Sequence, residues 1–430
     1  MKVGFIVWRF PILSEAFILN QITGLIDRGH DVYIHPVNGL PKDYTGKVHP
    51  LVEEYGLMKR AYFPPNLPNN IVWRFCKGIG LMLKNIHKGS LKTWRFFISG
   101  KYDKEVATIK TFYRIAALLE DGSYDIIHCQ FGTLAPIALA YREAGIISGR
   151  LITTFRGVDI SKYVQDNGIN VYEQLFNEGD FFLANCQFFG ERAINLGCNP
   201  HKLVVHGSGL DCSKFTFKPR YFPVDGKVKI ATTGRLVEKK GIEYAIRAVA
   251  RIAEFYPNIE YKIIGDGDLK EQLEELIAEL NISHVVKLLG WKQQTEIVEI
   301  LDNSHIFIAP SVTATDGNQD APVNTLKEAM AMGLPVISTR HGGIPELVED
   351  GVSGYLVPER DVEAIADKLI YLIEHPELWE NMGKAGRRRV EEKYDMNKLN
   401  DELVEIYQQM LKSELPQKSV TNLSQELTRI

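Results

Sequence analysis

The sequence predicts an α/β protein made of two Rossmann-like, doubly wound parallel-sheet domains in series, facing across a cleft. Three observations lead to that class. Short apolar runs alternate with amphipathic helical patterns along most of the 430 residues, which is the signature of βαβ units. The alternation restarts near residue 227, after a Pro-, Lys- and aromatic-rich stretch with no clear period. The chain is also too long for one ordinary core.

In the first half, Val3–Val7 reads as a strand, Ser14–Arg28 as a helix and Asp31–His35 as the next strand. Further strands are expected at Asp125–Cys129, Arg150–Phe155, Phe181–Asn185 and Lys202–His206. In the second half the expected strands are Lys227–Thr232, Ile259–Ile264, Val285–Leu288, Ile306–Ala309, Pro335–Ser338 and Tyr355–Val357. Helices are expected over Ile242–Glu254, Leu269–Glu279 and Pro376–Leu411. This gives a first domain over 1–212, a linker over 213–226 and a second domain over 227–392. A C-terminal helix over 393–411, able to pack back on the first domain, and a frayed tail over 412–430 complete the chain. Doubly wound sheets bind ligands beyond the carboxyl ends of their strands, so the site is sought there and in the cleft between the domains.

Composition narrows the function classes. With 45% hydrophobic and 24% charged residues the chain reads as soluble and globular. A net charge of -4 excludes a generally basic, nucleic-acid-coating surface. The five cysteines contain no C-x-x-C pair and several lie in apolar runs, as expected of small hydrophobes in a reducing compartment. The apolar run after Met1 is too short for a signal peptide, and no run reaches the 18 or so residues of a membrane span. A cytoplasmic protein is expected, with peripheral attachment to the inner face of the membrane left open.

The segment from Thr313 to Ala331 carries the most chemical information. It follows an expected strand and leads into a helix, with Pro322 placed for the first turn. The N–H groups of Val323, Asn324 and Thr325 would then be unpaired and turned to the crevice, a site for a diphosphate. Glu328, about one turn on, could accept both hydroxyls of a ribose, and Asp320 could meet sugar hydroxyls. Alone, such a pair reads as readily as a helix cap and a solvated helix residue. Its companions matter. In Gly234-Arg235-Leu236-Val237-Glu238-Lys239-Lys240-Gly241, Arg235 offers a planar fork and Lys240 a point charge, suited to neutralising a departing diphosphate. His341-Gly342-Gly343-Ile344-Pro345-Glu346 is a second companion, equally readable as plain turn chemistry.

Together, "GRLVEKKG", "IGDGDLKEQL", "LLGW", "DAPVNTLKEAMAMGLPVIST" and "HGGIPELVEDGVSGYLV" resemble the retaining GT-B group 1 glycosyltransferases, in order and spacing, over residues 228 to 358. In the first half, "FPILSEAFILNQI", "IIHCQFG" and "TTFRGVDIS" are similar to the exopolysaccharide and colanic-acid branch. The resemblance implies a GT-B fold and hexosyl transfer from a nucleotide-diphosphate sugar, UDP-glucose or a related UDP-sugar first and GDP-mannose second. The acceptor it implies is a glycan or polyprenyl-linked glycan. Arg235 and Lys240 would hold the diphosphate, Glu328 the ribose and Asp320 the transferred sugar. Gly234, Val323, Asn324 and Thr325 would line the donor, and the base would lie near Trp291. Ser14, Glu15, His128, Arg156 and Asp159 would serve the acceptor or sugar side. The chain departs from the family pattern where Asp320 replaces a usual Glu, Arg156 a usual His and Gln130 a second His.

No cofactor is expected. Retention without a nucleophile would proceed on one face of the sugar, the leaving phosphate oxygen taking the acceptor proton while cations and helix dipoles stabilise the diphosphate. Asp266-Gly267-Asp268 superficially matches a metal-binding D-x-D, but at a strand end these are ordinary turn residues, and no metal is expected. Gly265-Asp266-Gly267 does not continue as G-x-G-x-x-G, which argues against a nicotinamide site.

No acidic residue occurs between Glu54 and Asp103, while residues 71–101 interleave Lys and Arg with Trp73, Phe75, Trp94, Phe96 and Phe97. Such a helix can lie on an anionic bilayer, or be an insertion whose aromatics join the core. Two other functional readings stand beside glycosyl transfer: a nucleotide-sugar epimerase, and a non-catalytic nucleotide-sugar-binding subunit.

Overall fold

A computed structural model describes residues 1–12, 15–41, 44, 46, 48–64, 73, 122–143 and 145–412. Ser14 and nearly all of the basic stretch over 71–101 lie outside the described residues; Trp73 within it is 70% exposed. The chain separates into two compact units, one of Met1–Ala184, Gly190–His206 and Asn400–Ile430, the other of Asn185–Phe189 and Gly207–Leu399.

Six parallel strands form the sheet of the first unit: β1 (Lys2–Val7), β2 (Asp31–Pro36), β3 (Ser123–Cys129), β4 (Ser148–Phe155), β5 (Phe181–Ala184) and β6 (Leu203–Val205). They run in the order β2-β1-β3-β4-β5-β6. Near-continuous apolar strands such as GFIV and FFLA are what a sheet covered on both faces requires. The core gathers Val3, Phe5, Ile126, Ile152 and Leu183 with Ile18, Ile22 and Leu25 of helix Ala16–Asp27. Leu403, Ile406, Tyr407 and Met410, late in the chain, belong to the same core. Close packing of that late helix shows at Gly24, where a Cβ would overlap the Asn400 amide.

The second unit repeats the plan with β7 (Val228–Thr233), β8 (Ile259–Ile264), β9 (Val286–Leu288), β10 (Ile306–Ala309), β11 (Val336–Thr339) and β12 (Gly354–Val357). Their order is β12-β11-β10-β7-β8-β9, all parallel. Counted within the unit this is the 3-2-1-4-5-6 order of dinucleotide-type sheets, with its switch point between β7 and β10. Helix Ile242–Ala253 shows why the pattern folds: Ile242, Ala245, Ile246, Val249 and Ile252 recur at helical spacing and all are buried. Residues 213–226 run along this unit, with Phe215 in its core and Arg220 donating to Asp302 O and Met332 O.

Observed strand bounds agree with the sequence expectations to within two residues, and Ile259–Ile264 and Ile306–Ala309 agree at both ends. The strongly helical stretch Pro376–Leu411 is a short 3-10 turn, Pro376–Leu378, then the helices Trp379–Lys393 and Met396–Leu411, the last close to the C-terminal helix expected over 393–411. The break falls at Tyr394 and Asp395, where Asp395 Oδ1 accepts the N–H groups of Asn397 and Lys398, both at 3.0 Å, and so caps the last helix. Pro322 does not open its helix: the helix is Asn324–Ala331, with Val323 as the residue before it.

Candidate functional site

The strongest assembly of the predicted residues lies at the carboxyl ends of β7 and β10, on either side of the switch point of the second sheet. After β7 the chain is tied to the end of β8 by Gly234 N–H to Ile264 O (2.9 Å) and Leu236 N–H to Asp266 O (2.9 Å). Between these anchors Arg235 is exposed, and among the described residues its guanidinium joins no ion pair. The 3-10 turn Glu238–Lys240 follows, and Gly241 ends it at φ +59°. Only glycine fits there, because a Cβ would overlap Pro310 O.

That turn aims two lysines at Asp320. Lys240 Nζ lies 2.8 Å from Asp320 Oδ2 and Lys239 Nζ 2.9 Å from Oδ1, while Ser311 Oγ–H donates to Oδ2 at 3.1 Å. The three charged side chains are largely shielded from solvent, at 14%, 18% and 10% exposure for Lys239, Lys240 and Asp320. Burial alone would raise the Asp320 pKa; the two lysines outweigh it and hold the carboxyl well below its ordinary value. Burial lowers Lys240, Asp320 opposes it, and Lys239 and Arg235 add to the lowering, leaving it below an ordinary lysine. Two cations thus meet one carboxylate, and the Arg235 charge is felt at Lys240 as well, an arrangement with positive charge to spare for an anion.

Helix Asn324–Ala331 contributes the second element. The N–H groups of Val323, Asn324 and Thr325 have no acceptor among the described residues, as the first turn of a helix requires. Glu328 follows on this helix. No side chain among the described residues hydrogen-bonds its carboxylate, and burial, opposed by Lys327, pushes its pKa up to about 7. Thr233 Oγ, at the end of β7, is a further buried polar atom without a partner among the described residues. Trp291, just after β9, is 63% exposed. Among the described residues no group of His, Cys, Asp and Glu has the arrangement of a metal site; Asp266 Oδ1 accepts from Gly267 N–H at 2.9 Å, as a turn residue does.

Sequence reasoning missed Lys239, Ser311 and Glu359. Lys239 had a visible signal, the doubled lysine before Gly241. Ser311 and Glu359 had none: neither lies in a quoted motif, and Glu359 acts through Thr313, 46 positions away. Glu359 bonds His341 and Thr313, and His341 in turn accepts from the Asp320 amide.

In the first unit the remaining candidates divide. Asp159 is fully buried and accepts three main-chain N–H bonds, from Gly132 (2.8 Å), Arg156 (3.0 Å) and Gly157 (2.9 Å). It shapes the loop after β4. Arg156 is 9% exposed and donates to Gln130 and Gln21. Glu15 sits near enough for their charges to interact; burial raises its pKa to about 7 against the opposing effect of Arg156. His128 is a core residue: Nδ1 pairs with Tyr407 OH and Nε2 with Thr154 Oγ, both at 2.6 Å, and burial drives its pKa well down. Both ring nitrogens are therefore occupied within the unit.

Comparisons with known proteins bear on the family and the fold. A family model described as "Glycosyl transferases group 1" matches residues 213–389. The putative colanic acid biosynthesis glycosyltransferase WcaL of Salmonella typhimurium is 34% identical over 415 residues, 95% of this chain and 100% of that protein. The amylovoran biosynthesis glycosyltransferase AmsK of Erwinia amylovora is 34% identical over 413 residues, with coverage of 95% and 100%. Among solved structures, Anabaena Alr3699/HepE in complex with UDP-glucose matches with a TM-score of 0.66 at 18% identity, over 94% of this chain and 98% of that one. That last likeness bears on the fold alone. Two six-stranded parallel sheets with this topology, a matching family model and 34% identity along 95% of the chain lead to one conclusion: the protein belongs to the group 1 glycosyltransferases and has the GT-B fold.

Proposed function

We propose that the protein is a retaining, metal-independent hexosyltransferase that uses a nucleotide-diphosphate sugar. The favoured donor is UDP-glucose or a related UDP-sugar, with GDP-mannose second. The acceptor is a glycan or polyprenyl-linked glycan in exopolysaccharide assembly, and the basic stretch over 71–101 would hold the enzyme against an anionic membrane.

One observation carries this reading. Arg235, whose guanidinium joins no ion pair among the described residues, and a helix start, whose N–H groups have no acceptor among them, meet the Lys239–Lys240–Asp320 cluster at the switch point of the second sheet, with Glu328 on the same helix. Each part suits one part of the donor. Arg235, Lys240 and the helix N–H groups are donors fit for a diphosphate. Glu328 is an acceptor with no hydrogen-bond partner among the described residues, a need that two ribose hydroxyls would meet. Asp320, kept ionised by its lysines, is an acceptor for hydroxyls of the transferred sugar. These fixed cations would stabilise charge growing on the leaving diphosphate, which would itself take the acceptor proton. The relatives named for colanic acid and amylovoran biosynthesis support the polymer context.

A thermal-shift screen of UDP-, GDP- and ADP-sugars tests the donor, since a selective ligand raises Tm by mass action. Transfer assays with and without EDTA, with the product anomer read by NMR, test metal dependence and retention. Conversion of the donor without any acceptor would favour an epimerase. Tight binding without turnover on any acceptor would favour a binding subunit.

A further inference from the structure

We propose that His341 and Glu359 form a positioning relay that sets the backbone of Asp320, and thereby its carboxylate, for the donor sugar. The inference rests on the donor reading above and adds two residues to it.

Asp320 is held by its main chain as firmly as by its side chain. Its N–H donates to His341 Nε2 at 2.9 Å, and its C=O accepts from Gly343 N–H at 3.3 Å. The loop after β11 can approach this closely only because Gly342 stands between them at φ +50°, where a Cβ would overlap Asp320 O. An amide N–H can only donate, so His341 Nε2 must be the bare nitrogen and its proton must sit on Nδ1. Nδ1–H of this fully buried ring then donates to Glu359 Oε1 at 2.6 Å.

Glu359 is fixed in turn. Its carboxylate accepts from Thr313 N–H at 2.7 Å and from Thr313 Oγ–H at 3.1 Å, and Arg360 lies 3.5 Å from Oε2. Arg360 takes a left-handed φ of +63°, uncommon for a non-glycine residue, and its guanidinium reaches back to Thr313 O. Gln319, immediately before Asp320, donates to Thr313 Oγ at 3.1 Å. The segments that leave β10, β11 and β12, three neighbouring strands, are thus bound into one network that ends on the Asp320 amide.

The shorter side chain explains why such a network matters here. A glutamate can place its carboxylate by turning three side-chain torsions, whereas aspartate has two and follows its backbone closely. At a position where the family pattern has Glu, an Asp must be presented by the main chain itself. Small displacements of a group that meets the reacting sugar cost turnover disproportionately.

The test uses the full chain and four variants: His341→Phe, His341→Gln, Glu359→Ala and Glu359→Gln. Turnover with UDP-glucose, or GDP-mannose should the screen select it, is measured beside affinity for UDP or GDP alone. His341→Phe fills the ring volume without the acceptor, and Glu359→Ala removes the carboxylate. Both are expected to lower kcat about 10- to 100-fold while the nucleotide diphosphate, which lacks the sugar, binds within about twofold of wild type. His341→Gln keeps an acceptor near Nε2, Glu359→Gln keeps one for Nδ1–H, and each should restore most of the loss. Wild-type kcat in His341→Phe and Glu359→Ala overturns the relay, as does parallel loss of nucleotide affinity that the Gln variants leave uncorrected. Should His341→Phe fail to fold, the Glu359 pair decides. A wild-type chain that transfers no sugar overturns the donor reading and the relay together, an outcome separate from active wild type with equally active variants.

Discussion

Arg156 and Gln130 are hydrogen-bonded to each other twice: the guanidinium Nε–H donates to Gln130 O at 3.1 Å, and a terminal N–H donates to Gln130 Oε1 at 2.6 Å. These are the two positions in the first unit where the chain departs from the histidines of the family pattern. They depart as a pair in contact. The same guanidinium donates to Gln21 Oε1 at 3.1 Å and lies 4.5 Å from the Phe17 ring centroid. Burial lowers its pKa to about 10, with Asp159, Glu15 and Tyr407 opposing, so it stays charged at neutral pH.

Reverting one of the pair should therefore fail. Arg156→His leaves Gln130 Oε1 and Gln21 Oε1 short of a buried donor and should cost about 1–3 kcal/mol. Gln130→His with Arg156→His should recover part of that loss. A double-mutant cycle by urea unfolding should give a coupling of about 0.5–3 kcal/mol. Additive single effects would contradict the pairing.

Arg235 and Lys240 should separate activity from stability. Arg235 is exposed and joins no ion pair among the described residues, so Arg235→Ala should leave Tm unchanged while lowering kcat/KM about 10²- to 10³-fold. Lys240→Ala should lose comparable activity and also about 1–3 kcal/mol of stability, because Asp320 loses one of its buried hydrogen-bond donors and keeps only Lys239 as its cation. Thermal melts beside transfer assays distinguish the two.

Glu328 predicts a pH signature. A carboxyl raised to about 7 in the fold binds its proton more tightly there than in the unfolded chain. Stability should therefore fall as pH rises from the ordinary carboxylate range through 7. Ribose hydroxyls would favour the ionised form, so donor affinity should tighten between pH 6 and pH 8, with proton release seen by calorimetry in two buffers. Glu328→Gln should flatten the affinity profile and remove its own share of the stability profile. Glu15, also raised to about 7 by burial, serves as the control: Glu15→Gln should alter the pH dependence of Tm and leave that of nucleotide affinity in place.

Gly241→Ala should be costly although no side chain is lost. The position is left-handed and a Cβ would overlap Pro310 O, so the turn carrying Lys239 and Lys240 would have to shift. A loss of about 1–3 kcal/mol is expected by chemical denaturation. Donor affinity should weaken with it. Unchanged affinity would mean the turn does not place the lysines.

Much of this protein is legible in one dimension. The alternation of apolar strands with amphipathic helices specified two doubly wound sheets, because periods of two and of 3.6 residues are local properties of a chain. Motif spacing also pointed to Arg235, Lys240, Asp320 and Glu328, since each lies within a few residues of a strand end or a helix start. The Pro322 misreading shows the limit even locally: proline permits a first helical turn, but the chain ran extended through Val323 and began the helix at Asn324.

What only the tertiary structure decided was which groups face one another. His128 became a core residue held by Tyr407, 279 positions away, and Glu359 reached Thr313 and His341 across three neighbouring strands. The Arg156–Gln130 bond spans 26 positions and two strand ends. Sequence carries the chemistry of each side chain and the period of each element. Burial, and with it the pKa of Glu328 and the charge state of Asp320, follows from distant segments that exclude water, and no local pattern encodes those.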